Sequence, residues 1–104
     1  MRWFVSRHPG AIEWLSRQGI AVDRQIAHLS LELIQPGDWV LGSLPVNMAA
    51  AVCARGARYL HLSVEVPAEA RGRELSADEL DAFGGHLQAF EVRPVATNDL
   101  LSDV

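Results

Sequence analysis

The sequence predicts an α/β fold with a mostly parallel sheet and helices on both of its faces. Two observations lead to this prediction. Short apolar runs without alternation, such as Trp3–Val5 and Trp39–Leu41, are typical of parallel strands that are buried on both sides. Each run is followed by a turn and then by a helical stretch, and this alternation favours parallel pairing with crossover helices.

Length and composition predict a single domain. The chain has 104 residues, of which 49% are hydrophobic, and this is enough to bury a core. We assign residues 1–95 to this domain and residues 96–104 to a loose acidic tail. No apolar run approaches the ~20 residues of a membrane span, and the N-terminus lacks signal-peptide features. We therefore expect a cytoplasmic protein with no membrane contact.

The charged residues narrow the choice of partners. The net charge is −4, which argues against broad binding to DNA or RNA backbones, since that requires a basic face. All nine basic residues are arginines, whose planar forks suit carboxylate or phosphate. A small anionic ligand in one local site remains possible.

The first part of the chain reads as strand, helix and strand. The first strand covers residues 3–6, and the helix that follows runs from 11 to 18 and ends at Gly19. The second strand lies at 25–29 or at 20–22. Its position after an aspartate favours the first alternative.

The middle of the chain repeats this pattern. The segment Gln35–Asp38 is a strong turn signal, and a third buried strand follows at 39–43. Asn47 is a plausible N-cap for a helix over 48–57, which is nearly all small and apolar. A fourth strand covers 58–64, with His61 and Ser63 on one face and leucines on the other.

The last part predicts a third helix. Ser76–Glu79 matches a capping box, and Leu80, Phe83, Leu87 and Phe90 follow at helical spacing. Gly84 and Gly85 weaken this helix or split it. An edge strand could follow after Val92, through Val95.

Two strand-to-helix connections, Ser6–Gly10 and Ser43–Asn47, carry the polar candidates. If the strand order is 2-1-3-4, the order reverses between the first and third strands, and the ligand crevice lies between these connections. The N–H groups at the two helix starts favour an anion there.

Each candidate side chain also has a structural explanation. Arg7 and His8 suit a phosphate clamp and an acid/base group, or alternatively a surface ion pair and a helix start. The hydroxyls of Ser6 and Ser43 could bind a ligand or satisfy a helix start. Asn47 is a cap or a ligand contact.

The remaining histidine and arginine candidates also have both a structural and a functional interpretation. A lone histidine such as His28 or His61 is usually a hydrogen-bonded structural residue, and neither lies at metal-ligand spacing from His8. We therefore predict no metal. Arg71 and Arg73 fall in a polar loop, where they could form a lid over an anionic ligand.

Five segments carry a resemblance to a known family: Trp3–Trp14, Gln35–Asp38, Gly42–Pro45, Arg55–Leu62 and Arg71–Ser76. They resemble the small CRISPR-associated accessory proteins of type III systems, in the x-type subgroup recognised as ring nucleases. The opening string FVSRHPGAIEW is the most specific part. The resemblance extends over roughly residues 2–92.

The resemblance implies a Rossmann-like fold, related to the CARF-like sensor domains that bind cyclic oligoadenylates. It implies an enzyme without a cofactor that binds cyclic tetra-adenylate and cleaves it by metal-independent attack of a ribose 2′-hydroxyl on the 3′-phosphate. Cleavage would switch off type III antiviral signalling. We expect a homodimer, because two crevices can then face a ligand of matching symmetry. The alternatives are a binding module that sequesters the ligand without cutting it, and an adaptor protein.

The candidate site combines the residue chemistry with this resemblance. Its catalytic candidates are Arg7, His8 and His61. The ligand-binding candidates are Ser6, Arg7, Pro9, Gly10, Ser43, Leu44, Pro45, Asn47, Arg71 and Arg73.

Overall fold

The computed structural model describes residues 1–97, so most of the predicted acidic tail lies outside the described residues. Within this range the strands are β1 (Arg2–Val5), β2 (Arg24–Ile26), β3 (Trp39–Gly42), β4 (Arg58–Ser63) and β5 (His86–Phe90). The α-helices are α1 (Pro9–Arg17), α2 (Val46–Ala54) and α3 (Ala77–Ala82). None of these helices is both long enough and apolar enough to cross a membrane.

The strands form one mixed sheet in the order β2-β1-β3-β4-β5. Neighbours among the first four strands are parallel, whereas β5 runs antiparallel to β4. The predicted 2-1-3-4 order is thereby confirmed. Of the two predicted positions for the second strand, the one after Asp23 is correct.

Helices cover both faces of the sheet, which confirms the predicted three-layer α/β fold. On one face, α1 and α3 pack on Phe4, Leu41 and Leu62 through side chains such as Trp14 and Leu80. On the other face, α2 packs through Ala49 and Val52 on the side chains that alternate with those, namely Trp3, Val40 and Tyr59. The central strands β1 and β3 are apolar on both faces for this reason.

The predicted third helix is wrong beyond Phe83, which is the C-cap of α3. Gly84 has a positive φ of +76°, and a Cβ on Gly85 would lie 2.8 Å from a backbone oxygen of α3. The glycine pair therefore ends the helix. His86, Leu87 and Phe90 instead belong to β5, and residues 91–97 form no strand, so the edge strand predicted through Val95 is also wrong.

The carboxylate of Asp38 joins β1 to the turn that precedes β3. It accepts hydrogen bonds from the Trp3 Nε1–H at 3.1 Å and from the Gln35 backbone N–H at 3.0 Å. The side chain is 7% exposed. The hydrogen bond from Gln35, followed by that from Trp3, lowers the pKa of Asp38, although burial acts in the opposite direction. The carboxylate is therefore held in its charged form.

The start of α1 touches the segment 71–76, which leads into α3. A Cβ on Gly10 would lie 1.9 Å from the Leu75 carbonyl oxygen, so only glycine permits this approach. Trp14 of α1 also donates from Nε1 to Asp81 at 2.7 Å, and Arg17 pairs with Asp78 at 2.6 Å. The first contact places segment 71–76 against the start of α1, and the other two hold α3 against α1.

We expect Asp38→Asn to lower the free energy of unfolding at neutral pH, because Trp3 and Gln35 lose a charged acceptor. The folded state lowers the pKa of Asp38, so the stabilisation is complete above about pH 4 and is lost as the pH falls further. The stability difference between wild type and variant, measured by urea denaturation, should therefore shrink as the pH falls from about 7 to about 3.

Asp23→Asn is the matched control, because the exposed Asp23 carboxylate accepts the Arg2 backbone N–H at 2.7 Å. This variant should leave the acid-dependent contribution of Asp38 in place. A stability difference for Asp38→Asn that stays constant down to about pH 3 would contradict the assignment.

We expect Gly10→Ala to destabilise the fold by about 3 kcal/mol, because a methyl group would overlap the Leu75 carbonyl and force α1 and segment 71–76 apart. Gly72→Ala is the control. Gly72 has a φ of +83° but no atom within 4 Å of the added Cβ, so its cost should be about 1 kcal/mol. Equal losses in chemical denaturation would show that the approach at Gly10 is not tight.

Candidate functional site

A cleft of about 740 Å³ opens at the carboxyl ends of β1 and β3, where the strand order reverses. This is the crevice that the sequence predicted. Its walls come from four segments: Phe4–His8, Ala27–Leu29, Gly42–Pro45 and Arg73–Leu75. The first and third segments are the two strand-to-helix connections that carry the polar candidates.

Gly42 lets the two walls come close to each other. Val5 and Gly42 are register partners at the ends of β1 and β3, and a Cβ on Gly42 would lie 2.8 Å from the Val5 carbonyl oxygen. The next residue, Ser43, donates from Oγ to the Leu62 carbonyl at 2.8 Å. The hydroxyl hydrogen of Ser43 is therefore used in a bond within the protein. The hydroxyl oxygen can still accept a hydrogen bond.

The floor of the cleft is apolar and its rim is polar. Phe4, Leu62 and Leu80 are buried and line the floor. The exposed side chains of Arg7 and His8 stand at the rim. Such a cleft suits a ligand with a flat apolar part and an anionic part.

His8 lies against a carboxylate that the sequence analysis left unassigned. Its Nδ1 is 2.8 Å and 3.0 Å from the two carboxylate oxygens of Glu74. An ionised carboxylate only accepts hydrogen bonds, so Nδ1 carries a hydrogen. Nε2 is the ring nitrogen that takes no part in this contact. The only sequence signal for Glu74 was its place in the segment 71–76, because the contact joins residues 66 apart.

The two arginines of the cleft differ in what they bind. Arg73 donates to Glu79 at 2.6 Å, and this contact lowers the pKa of Glu79 to about 2 and raises that of Arg73. Arg73 is thus partly committed to the start of α3, where Ser76 and Glu79 form the predicted capping box. Arg7 forms no ion pair with any residue of the range 1–97.

Of the residues that the sequence analysis discussed, Ser6, Ser43, Leu44, Pro45 and His28 also line the cleft. Ser6 Oγ accepts the His8 backbone N–H at 3.2 Å, so this hydroxyl shapes the connection into α1. Ser6, Ser43, Leu44 and Pro45 are ligand-binding candidates of the sequence analysis, and the structure places all four along the cleft. His28, for which the sequence favours a structural role, is exposed at the rim.

Several predicted site residues lie away from the cleft. His61 points to the α2 face of β4, where its ring meets Phe90 edge-on with centroids 6.0 Å apart. Arg71 is exposed, and Pro9 and Gly10 lie in the first turn of α1. None of these residues lines the cleft.

Asn47 is also outside the cleft, and its predicted role as an N-cap is wrong. The N-cap of α2 is Pro45, whose carbonyl accepts the N–H groups of Met48 and Ala49, both at 3.0 Å. Proline favours the extended conformation that an N-cap needs, and so the helix begins two residues earlier than the asparagine predicted. Asn47 is exposed within the first turn.

Metal ligands are not clustered in the described part of the chain. No group of three or more His, Cys, Asp or Glu side chains in residues 1–97 is placed to hold a metal ion. The charged and titratable side chains that line the cleft are the guanidinium groups of Arg7 and Arg73, the His8 imidazole paired with the Glu74 carboxylate, and the His28 imidazole.

Comparison with known proteins identifies the family to which the chain belongs. Searches of curated proteins and of solved structures found no match. Residues 3–93 match a family model that bears the description "Putative CRISPR-associated protein (Cas_VVA1548)". The match spans both connections of the cleft and segment 71–76. The chain belongs to this family of CRISPR-associated proteins.

Proposed function

We propose that the protein is a ring nuclease of type III CRISPR systems, which binds cyclic tetra-adenylate and cleaves it. The observation that supports this proposal is the cleft itself, which combines an apolar floor with a rim of Arg7 and the His8–Glu74 pair. An adenine ring fits against the floor. A phosphate fits at the rim, near a guanidinium and the N-terminus of α1.

The reaction that these groups suit is an internal transfer. A ribose 2′-oxygen forms a bond to the neighbouring phosphorus while the bond from phosphorus to the 5′-oxygen breaks, leaving a 2′,3′-cyclic phosphate and a free 5′-hydroxyl. The step needs the 2′-proton removed and the 5′-oxygen protonated. In this proposal His8 moves a proton, and Arg7 stabilises the charge that develops on the phosphoryl oxygens.

A homodimer suits this ligand. A cleft of about 740 Å³ lies in the range that holds one drug-sized molecule, and a ring of four nucleotides is larger. Two copies related by a two-fold axis would present the same rim groups to opposite phosphates of the ring. We propose that two clefts bind one ring.

The second candidate function is binding without cleavage. It is favoured by the exposure of the catalytic candidates, since the side chains of His8 and Glu74 are 53% and 66% exposed. Proton transfer is most effective where water is excluded. A protein that only sequesters the cyclic ligand needs Arg7 and the apolar floor, but not a shielded His8.

Incubation with cyclic tetra-adenylate in EDTA, followed by separation of the products, tests the proposal. Linear products with 2′,3′-cyclic phosphate ends are expected. Intact ligand after long incubation with excess protein would overturn cleavage, and calorimetric binding would then select the sequestering function. If the protein neither binds nor cleaves the ligand, the adaptor role is the function that remains.

We expect Arg7→Ala to weaken binding or turnover at least roughly tenfold, because a charged hydrogen bond to phosphate contributes about 1.5–3 kcal/mol. The melting temperature should stay nearly unchanged, since Arg7 is exposed and pairs with no acidic group of residues 1–97. Arg71→Ala, which removes an exposed arginine outside the cleft, is the control. Equal losses for both variants would indicate a general charge effect.

We expect Glu74→Gln to lower turnover roughly tenfold without weakening binding, because the His8 Nδ1–H loses its charged acceptor and one negative charge leaves the rim. Single-turnover rates and calorimetric affinity measure the two effects separately. Glu69→Gln is the control, since Glu69 is exposed in the turn before segment 71–76 and does not line the cleft. Unchanged turnover in Glu74→Gln would remove Glu74 from the mechanism.

A further inference from the structure

Tyr59 is a buried residue of β4 whose hydroxyl lies behind one wall of the cleft. The side chain is 3% exposed and does not line the cleft. Its Oη lies 3.1 Å from the Gly42 carbonyl oxygen, 2.8 Å from the Leu44 backbone nitrogen and 2.6 Å from His61 Nδ1. A single hydroxyl thus contacts three polar groups.

The hydrogens of these contacts can be assigned from what each group can donate. The Leu44 N–H can only donate to Oη, and the Gly42 carbonyl can only accept from it. Tyr59 has one hydroxyl hydrogen, and burial raises the pKa of this phenol, so the hydrogen stays. If that hydrogen goes to Gly42, then His61 must donate from Nδ1, and all three contacts are satisfied together.

The backbone groups in this network flank Ser43 in the wall of the cleft. Gly42 ends β3, and Leu44 lies one residue before the N-cap of α2. The wall segment Gly42–Pro45 has no regular secondary structure after Gly42, so Tyr59 supplies a hydrogen-bond partner that a strand or helix would otherwise give. Burial makes each of these bonds costly to lose.

We propose that Tyr59 and His61 are positioning residues: from behind the cleft they hold the backbone of Gly42–Pro45 in the shape that binds the ligand, and His61 does so as the Nδ1–H form. The role of this wall in binding a cyclic oligoadenylate rests on the proposed function. His61 then acts through Tyr59 and the backbone, and not by contact with the reacting phosphate.

A pair of substitutions separates this role from simple packing. His61→Asn keeps an N–H donor near the position of Nδ1, whereas His61→Phe keeps a ring against Phe90 and removes the donor. Positioning predicts near wild-type affinity for cyclic tetra-adenylate in His61→Asn and a loss of roughly tenfold in His61→Phe. Packing against Phe90 alone predicts the reverse order and would overturn the proposal.

Two measurements test the hydrogen bonds of Tyr59 to His61 and Leu44, and neither depends on the identity of the ligand. Nitrogen NMR of the His61 ring should show the hydrogen on Nδ1. Amide exchange at Leu44 should become faster in Tyr59→Phe, while exchange in α1 stays as in the wild type. Hydrogen only on Nε2, or unchanged exchange at Leu44, would overturn the proposal.

The ligand experiment tests the proposed function, whereas these two measurements test the positioning role, so either can be refuted without the other. If the wild-type protein neither binds nor cleaves cyclic tetra-adenylate, the proposed function fails, and the Nδ1–H form together with fast Leu44 exchange still supports the positioning role. His86→Gln serves as the control for loss of a histidine, since the exposed His86 does not line the cleft and its ring hydrogen-bonds to the Gly84 carbonyl two residues earlier, at 2.9 Å.

Discussion

The pairing of β1 with β3 is the constraint on which the cleft depends. The Asp38 carboxylate ties Trp3 to the turn before β3 at the amino ends of these strands, and the register then places Val5 beside Gly42 at their carboxyl ends. Beyond these carboxyl ends, the connections that follow β1 and β3 run in different directions. Right-handed crossovers carry α1 and α2 to opposite faces, because β2 lies on one side of the pair and β4 on the other. The cleft is the space left between the two departing connections.

Local signals were enough to predict this part of the molecule. Uninterrupted apolar runs identify β1 and β3, the turn at Gln35–Asp38 separates the elements, and the reversal of strand order then locates the cleft. The errors have a different origin. Leu87 and Phe90 stand three residues apart, and this spacing fits a helical face, but Gly84 and Gly85 end α3 and leave the open edge of β4 to pair with β5. A long-range pairing outweighed a local periodicity.

The side chains of the site were less predictable than its location. Arg7 and His8 come two and three residues after the end of β1, and so their position was implied by the strand itself. Glu74 reaches His8 only because Gly10 lets segment 71–76 lie against α1, and no short-range pattern encodes a contact over 66 residues. His61 shows the opposite case. Alternation along β4 correctly gave its face, but that face is the one covered by α2, behind the cleft wall.

The chain is acidic, and yet the rim of its cleft carries Arg7, which forms no ion pair within residues 1–97. Its acidic side chains are partly used elsewhere: Glu79 binds Arg73 at the start of α3, and Asp78 binds Arg17 of α1. An anion at the rim meets the nearest groups first, since exposed charges farther than about 10 Å are largely screened by salt. Within residues 1–97, Glu74 is the only acidic residue that lines the cleft, and it pairs with His8 and not with Arg7. Net charge therefore argues against an extended polyanion, while the local arrangement of Arg7, His8 and Glu74 favours a compact one.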